Sequence, residues 1–426
     1  MLLTFAKRPR KEPNHGHWLT YLKWCGVLCL LIVAAACQRP ATVTPLDQQV
    51  YIWQRVWTAD HPLALAQSRQ TFSTLRILAA QIHPREGWIH PQINVDALKA
   101  DGRPLIAVIR IDGQLPRLDQ AQILSQINQV IVTWQGQGLN LVGIEIDHDC
   151  ATSRLPAYAA LLRQIRQALP PQLRLSITAL PAWLESAALD PVLAAVDSSV
   201  LQVHAVQHVD RGLFDETVAL RSIAGYAHRS PHDFYVALPA YHAALTSDGR
   251  VESEVRLPQS GKLQEIRVDP RQVQRLLQSL QQLHPPHLHG IVWFRLPMAS
   301  DQRAWAWTTL QAVINQQPLT TKLSLTLQPS AKQPGLYDIV LKNDGNLDSP
   351  FPAQIAIDGQ GCLAGDALYP YQRLAHVVQI RFIQPERALA NPVLINASTQ
   401  RAVGWVRCRS LSPQDVSYVM ALPQNP

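Results

Sequence analysis

A (β/α)8 barrel of the TIM type, followed by a small C-terminal β-sandwich, is the architecture this sequence predicts. Two observations carry the prediction. Over residues 48–317, eight short β-branched runs alternate with longer amphipathic stretches, which is the count and length of one closed barrel. From 318 to 426 the texture changes to short alternating runs broken by Gly, Pro and Asn-Asp-Gly turns, the pattern of a sandwich. An open doubly wound sheet is the competitor, but no glycine-rich phosphate turn follows the first run.

The chain has 426 residues, of which 47% are hydrophobic, enough to build a core in each of two domains. Its formal charge of +7 is concentrated at the start. Residues 1–36 hold Lys7, Arg8, Arg10, Lys11 and Lys23 against Glu12 alone. The remaining excess is small and forms no basic run, so nucleic acid is not an expected partner. The apolar run "WCGVLCLLIVAAA" that follows the basic stretch is 13 residues long, Trp24 to Ala36. That is too short to span about 30 Å of hydrocarbon as a helix. With Ala34, Ala35 and Ala36 before Cys37, residues 1–36 resemble a bacterial lipoprotein signal peptide. Cys37 is then the lipidated first residue of the mature protein, and 37–47 a linker. The expected location is the cell envelope, lipid-anchored on the periplasmic face of the outer membrane, with a lipid bilayer as one partner.

The strand candidates, in order, are "VYIWQRVW" (50–57), "LRILAAQ" (75–81), "LIAVIRID" (105–112), "LVGIEIDH" (141–148), "LRLSITAL" (173–180), "VLQVHAV" (200–206), "FYVALPA" (234–240) and "GIVWFRLP" (290–297). Between them, stretches such as 118–134 and 155–169 place apolar residues three and four apart, as a helix packed on one face requires. Pro156 suits the first turn of the second. In the tail, Cys362 and Cys408 share one predicted domain and are the expected disulfide, with Cys150 left alone in the barrel.

The fourth run inverts the usual strand pattern. "GIEIDHD" sets Glu145, Asp147 and Asp149 on one side and Ile144, Ile146 and His148 on the other. In a barrel this makes sense, because the outer face meets the helices and the inner face points into the barrel and towards its mouth. Other runs repeat the inversion: Arg110 and Asp112 in the third, Ser176 and Thr178 in the fifth, Gln202 and His204 in the sixth, Trp293 and Arg295 in the eighth. The first offers Trp53, Arg55 and Trp57. Active sites of barrel enzymes lie at the C-terminal ends of the strands, where these polar residues fall. Arg55, Arg110 and Arg295 are the expected counter-ions, because unpaired buried charge is costly.

A closed ion-pair network is the plainer reading of such residues, and it fits the deepest acid, Glu145, best. Asp147 and Asp149, nearest the mouth, point to chemistry. Crowded carboxylates keep a proton on at least one of them near neutral pH, as acid-assisted cleavage of a glycosidic bond requires. Trp53, Trp57, Trp183 and Tyr241 near strand ends could stack on sugar rings. The catalytic candidates are therefore Asp147, Asp149 and Glu145. The substrate-binding candidates are Arg55, Trp53, Arg110, Asp112, Gln202, His204, Tyr241, Trp293 and Arg295.

"GIEIDHD" resembles the fourth-strand signature of family 18 glycoside hydrolases, Gly-x-Asp-apolar-Asp-aromatic-Glu. Gly143 matches the glycine, Glu145 and Asp147 the two aspartates, and Asp149 the catalytic glutamate. Asp149 is one methylene shorter than that glutamate, His148 stands for the aromatic residue, and "LQVHAVQ" replaces the Met-x-Tyr-Asp of the sixth strand. "GIVWFRLP" is similar to the eighth strand of those enzymes, which implies Trp293 as the floor of a sugar site. Over nearly all of 48–316 the chain resembles a bacterial family known as domain of unknown function 3142. The resemblance rests on "VYIWQRVWT", "GIEIDHDC", "LRLSITALPAWL", "LQVHAVQ" and "GIVWFRLP", and it implies a fold and a site, not a reaction.

Other chemistries fit less well. His284, His287 and His289 have metal-like spacing but precede the eighth strand, at the bottom of the barrel, so no metal or other cofactor is expected. Strand alternation turns His148 and Cys150 away from Asp147, against a thiol nucleophile. Two functions remain open: an envelope-anchored glycoside hydrolase-like enzyme, or a glycan-binding or envelope-assembly lipoprotein with a degenerate glycosidase-like barrel. A glycan or polysaccharide is the expected ligand of either.

Overall fold

The computed structural model describes residues 45–204, 212–245, 251–252, 264–301, 303–374, 379–386, 389 and 392–421. Cys37 and the expected signal peptide lie outside the described residues. Eight parallel strands close into a barrel: β1 (Asp47–Ile52), β2 (Thr74–His83), β3 (Leu105–Ile111), β4 (Leu141–His148), β5 (Arg174–Ala179), β6 (Ser198–Gln202), β7 (Phe234–Pro239) and β8 (Leu288–Phe294). Each strand pairs with its sequence neighbour, and β1 pairs with both β2 and β8, which completes the ring. A helix follows every strand: α1 (Asp60–Ser68), α2 (Val95–Asp101), α3 (Gln120–Gly136), α4 (Leu155–Ala168), α5 (Leu189–Leu193), α6 (Glu216–Ala227), α7 (Pro270–Leu283) and α8 (Trp307–Ile314).

Local chemistry starts these helices where the sequence says it should. Asn94, Asp119, Asp215 and Asp269 each accept a backbone N–H from the first turn of α2, α3, α6 and α7, satisfying donors a helix start leaves open. Pro156 and Pro270 sit in first turns, where no backbone N–H is needed. Gly102 ends α2 in the left-handed region (φ 73°), which a residue without a Cβ adopts at little cost.

Two apolar layers result. The outer faces of the strands, including Ile77, Ile109, Ile144, Ile146, Ile177, Leu201 and Ile291, are buried with the helices in one large core. A smaller cluster fills the barrel interior: Tyr51, Trp53, Leu78, Val108, Val200, Ala237 and Val292, with Tyr235 and Phe294 packed against it. The inverted pattern of the fourth run is thus that of a strand whose outer face is the apolar one.

Two strands depart from their expected register. The first ends at Ile52, not at 57. Trp53 still points inward, but Arg55 falls in the exposed loop, and Trp57 stacks on His61 of α1 with ring centroids 4.5 Å apart. The eighth strand turns the other way: Val292 and Phe294 face the interior, so Trp293 is buried in the outer core, its Nε1 donating to Gln48 at 2.8 Å. The amphipathic indole satisfies its N–H there.

The tail forms two four-stranded antiparallel sheets. One contains Leu323–Pro329, Leu336–Asn343, Thr399–Arg407 and Ala364–Ala367; the other contains Gln372–Arg373, Ile380–Ile383, Gln354–Ile357 and Val416–Val419. Their inner residues, among them Ile339, Leu341, Phe351, Ile355, Phe382 and Val403, make a separate core. Cys362 and Cys408 are joined as a disulfide, and Cys150 is a buried free thiol.

Candidate functional site

The polar interior of the barrel is stacked in two tiers along β4. The lower tier is closed. Glu145 accepts from Tyr51 Oη (2.7 Å), Ser176 Oγ (3.1 Å) and Arg76 Nη1, and both members of the Arg76–Glu145 ion pair are fully enclosed. Arg76 also donates from Nε to Gln49 (2.9 Å) and lies over the Tyr235 ring. Burial, and then the adjacent Glu145, push the Tyr51 hydroxyl well above its ordinary range, so it serves as a fixed donor. Every strong polar group here is paired, as a dry interior demands.

The upper tier opens towards the mouth. Arg110 on β3 stands level with Asp147 on β4 and donates to its Oδ2 at 2.5 Å. The other Asp147 oxygen takes Thr178 Oγ1 (2.6 Å) from β5 and Gln202 Nε2 (3.3 Å) from β6. Two residues further, Asp149 lies 3.5 Å from the second Arg110 nitrogen through Oδ2. Its Oδ1 is buried and has no hydrogen-bond partner among the described residues. Asp147 is sealed at 1% exposure, whereas Asp149 and Arg110 are about a third open, at 35% and 32%. Burial and the neighbouring Asp147 raise the Asp149 carboxyl to about 6, against the opposing pull of Arg110.

The loop after β3 holds this geometry. Asp112 accepts from the backbone of Gln114 at 2.8 Å, closing a turn that brings Gly113 against the Asp149 carbonyl. A Cβ at Gly113 would meet that oxygen at 2.0 Å. Only glycine admits so close a backbone approach.

An aromatic wall borders the charged groups. Trp53, Phe294 and Tyr241 contact one another in sequence, at 5.3 and 5.2 Å, and His204 touches both Phe294 (5.7 Å) and Tyr241 (5.9 Å). The Arg110 guanidinium lies over Trp53 at 5.6 Å, a cation–π contact that ties wall to tier. Arg295 lies over Tyr241 and is bound by Asp301 at 2.7 Å. Burial lowers His204 to about 4, so the ring is neutral at ordinary pH.

Of the residues singled out from sequence, the structure therefore brings together Asp147, Asp149, Arg110, Asp112, Gln202, Trp53, His204 and Tyr241, with Arg295 beside Tyr241. It separates five others, among them Trp57, stacked on His61 outside the mouth. Glu145 lies below, locked to Arg76; Arg55 lies in the outer loop; Trp293 lies behind the barrel wall. Trp183 is buried in the outer core, donating to the Cys150 carbonyl at 3.0 Å. Of the three expected counter-ions, Arg110 pairs with β4 carboxylates, and Arg295 pairs with Asp301. The partner of Glu145 is Arg76, and Phe294, not Trp293, is the inward aromatic residue of β8. Arg76 was readable: it shares its face with Leu78, opposite Leu75 and Ile77, the same inversion seen in β4.

The other nucleophile and metal candidates are placed elsewhere. His148 bonds the Ile111 carbonyl (2.9 Å) and packs on Tyr158, outside the barrel wall. Burial pushes the Cys150 thiol up to about 11, away from a reactive thiolate. His284 closes α7, and His289 begins β8 beside Asp233, both at the end of the barrel opposite the mouth.

Residues 101–299 match a family described as a domain of unknown function (DUF3142), and residues 326–409 match a second domain of unknown function (DUF8456). No curated protein matches in sequence. Among solved structures, the spore cortex-lytic enzyme SleL of Bacillus megaterium is similar at 13% identity, covering 60% of this chain and 71% of that one, with a TM-score of 0.46. A chitinase from Chromobacterium violaceum is similar at 13% identity over 64% of this chain and 98% of that one (TM-score 0.45), and a chitinase from Bacteroides thetaiotaomicron at 10% over 59% and 90% (TM-score 0.46). At such values the likeness assigns no residue a role.

Proposed function

We propose that this chain, which carries a DUF3142 domain, is a glycoside hydrolase-like enzyme of the cell envelope, with Asp149 as its general acid. The observation that carries the reading is the asymmetry of the two upper carboxylates. Asp147 is saturated by Arg110, Thr178 and Gln202; Asp149 has its buried Oδ1 unpartnered among the described residues, is about a third exposed as a side chain, and is raised to about 6 by burial and Asp147. A carboxyl in that state carries a proton to a leaving-group oxygen. Asp147 is its electrostatic partner, since its proximity favours the protonated form of Asp149. The wall of Trp53, Phe294 and Tyr241 supplies apolar ring faces for a sugar.

Anchoring completes the proposal. Cys37, preceded by the basic leader and Ala34-Ala35-Ala36, bears the lipid that holds the barrel at a bilayer. Mass analysis of the mature N-terminus is expected to show acylated cysteine, and an unmodified terminus elsewhere rejects the anchor. For the reaction, the test is release of reducing ends from envelope polysaccharides by the wild-type protein and by Asp149→Asn. Release by both at one rate rejects Asp149 as the acid. Glycan binding with no release by either favours a binding protein.

A further inference from the structure

We infer that His204 is the general base that activates the attacking water, so that the reaction inverts the anomeric configuration. This rests on the reading of Asp149 as general acid and names the group that acts opposite it.

Among the described residues, the carboxylates beside Asp149 leave this role vacant. A retaining reaction with an enzyme nucleophile needs a second carboxylate with a free oxygen about 5–5.5 Å from the acid. Asp147 spends both oxygens on Arg110, Thr178 and Gln202 and is enclosed. Glu145 is locked below by Arg76, Tyr51 and Ser176. Asp112 is turned to its own backbone at Gln114.

His204 has the geometry a base needs. It lies two residues past Gln202, the last residue of β6, and its contact with the inward-facing Phe294 puts it on the inner side of the barrel, one step nearer the mouth. Its ring packs against both Tyr241 and Phe294. Nδ1 lies 3.3 Å from the Ala237 carbonyl. A carbonyl only accepts, so Nδ1 carries the hydrogen and Nε2 keeps the lone pair. Among the described residues, no group bonds Nε2. β6 is two strands from β4, and neighbouring strands are about 4.8 Å apart. Two such spacings, about 9.6 Å between strands, are of the order of the roughly 6.5–9.5 Å that separate acid from base when a water fits between them. Burial lowers the imidazole to about 4, and Asp147 opposes that fall. It is thus unprotonated at neutral pH, with the basicity of the carboxylates that usually fill this role.

The step balances. Nε2 takes a proton from water as the water oxygen bonds to the anomeric carbon. The bond from that carbon to the leaving oxygen breaks, and the leaving oxygen receives the Asp149 proton. The imidazolium and the Asp149 carboxylate return to their starting states by exchanging a proton through solvent.

The test uses the full chain on soluble peptidoglycan fragments, capsular polysaccharide and chito-oligosaccharides, with proton NMR of the first anomer released. Inversion is expected from the wild type. His204→Asn, whose amide can still donate to Ala237, is expected to lose about 10²–10⁴-fold in rate. Azide added to His204→Ala is expected to restore turnover and give a glycosyl azide of inverted configuration, which a merely structural role would not produce. Retention by the wild type overturns the His204 assignment and leaves Asp149 as acid. Undiminished release by His204→Asn also overturns it. No release from any of these glycans by the wild type overturns both readings together. The anomeric readout needs no variant, so misfolding of His204→Ala leaves it intact.

Discussion

The two tiers of β4 use the same pair of residue types for different ends. Arg76 of β2 is joined to Glu145 and Arg110 of β3 to Asp147, the two acids lying two residues apart on β4. Below, water is excluded and every oxygen of Glu145 is engaged. Above, the arginine reaches two acids but satisfies only one, and the second stands at the edge of solvent. The lower arrangement holds strands together and has no spare proton to give. In the upper one, burial and the neighbouring Asp147 outweigh Arg110 and raise the Asp149 carboxyl to about 6, so it keeps its proton in mildly acidic solution. Chemistry needs that incompleteness; a fully satisfied network has none to offer.

The largest effect expected from this contrast is on turnover. Asp149→Asn keeps the shape and removes the transferable proton, so release of reducing ends should fall about 10²–10⁴-fold with little change in denaturant midpoint. A large loss of stability in that variant would place Asp149 with the lower tier. The converse substitution, Glu145→Gln, strands the buried Arg76 charge. It should lower unfolding free energy by about 3–5 kcal/mol, read as a shift in the urea midpoint at constant slope. Undiminished stability would show that the lower tier is not what holds the barrel.

Gly113→Ala probes the support of the upper tier. Its new Cβ collides with the Asp149 carbonyl, so the loop or the end of β4 must move, at about 1–3 kcal/mol, and turnover should fall with it. Intact turnover alongside lowered stability would show that the β3 loop does not set the position of Asp149.

The smallest effect is a slope with pH. The Asp149 carboxyl is raised from its ordinary value of 3.8 to about 6 in the folded protein, so between those values the folded state holds the extra proton. Its contribution to stability is full below about 4 and is lost as pH rises through about 6. Asp149→Asn should therefore flatten the fall in melting temperature across that window. An unchanged slope would mean that Asp149 titrates normally. In the wild type, turnover should decline above about pH 6 as the acid loses its proton.

The sequence by itself determined the barrel, the sandwich and most of the mouth. Alternation on β3, β4, β5 and β6 is local, so Arg110, Asp147, Asp149, Thr178, Gln202 and His204 could be read as inward residues without coordinates. Tertiary structure decided where alternation starts and stops. β1 ends at Ile52, which put Arg55 and Trp57 outside. On β8 the interior was already filled by Tyr51, Trp53 and Ala237, and Val292 and Phe294 fit that space while the larger Trp293 indole found room and a partner, Gln48, in the outer core. Only the closed barrel could distinguish the acids. Glu145, Asp147 and Asp149 are alike along the strand; what separates them is how many donors from β1, β2, β3, β5 and β6 converge on each, and how much water reaches it.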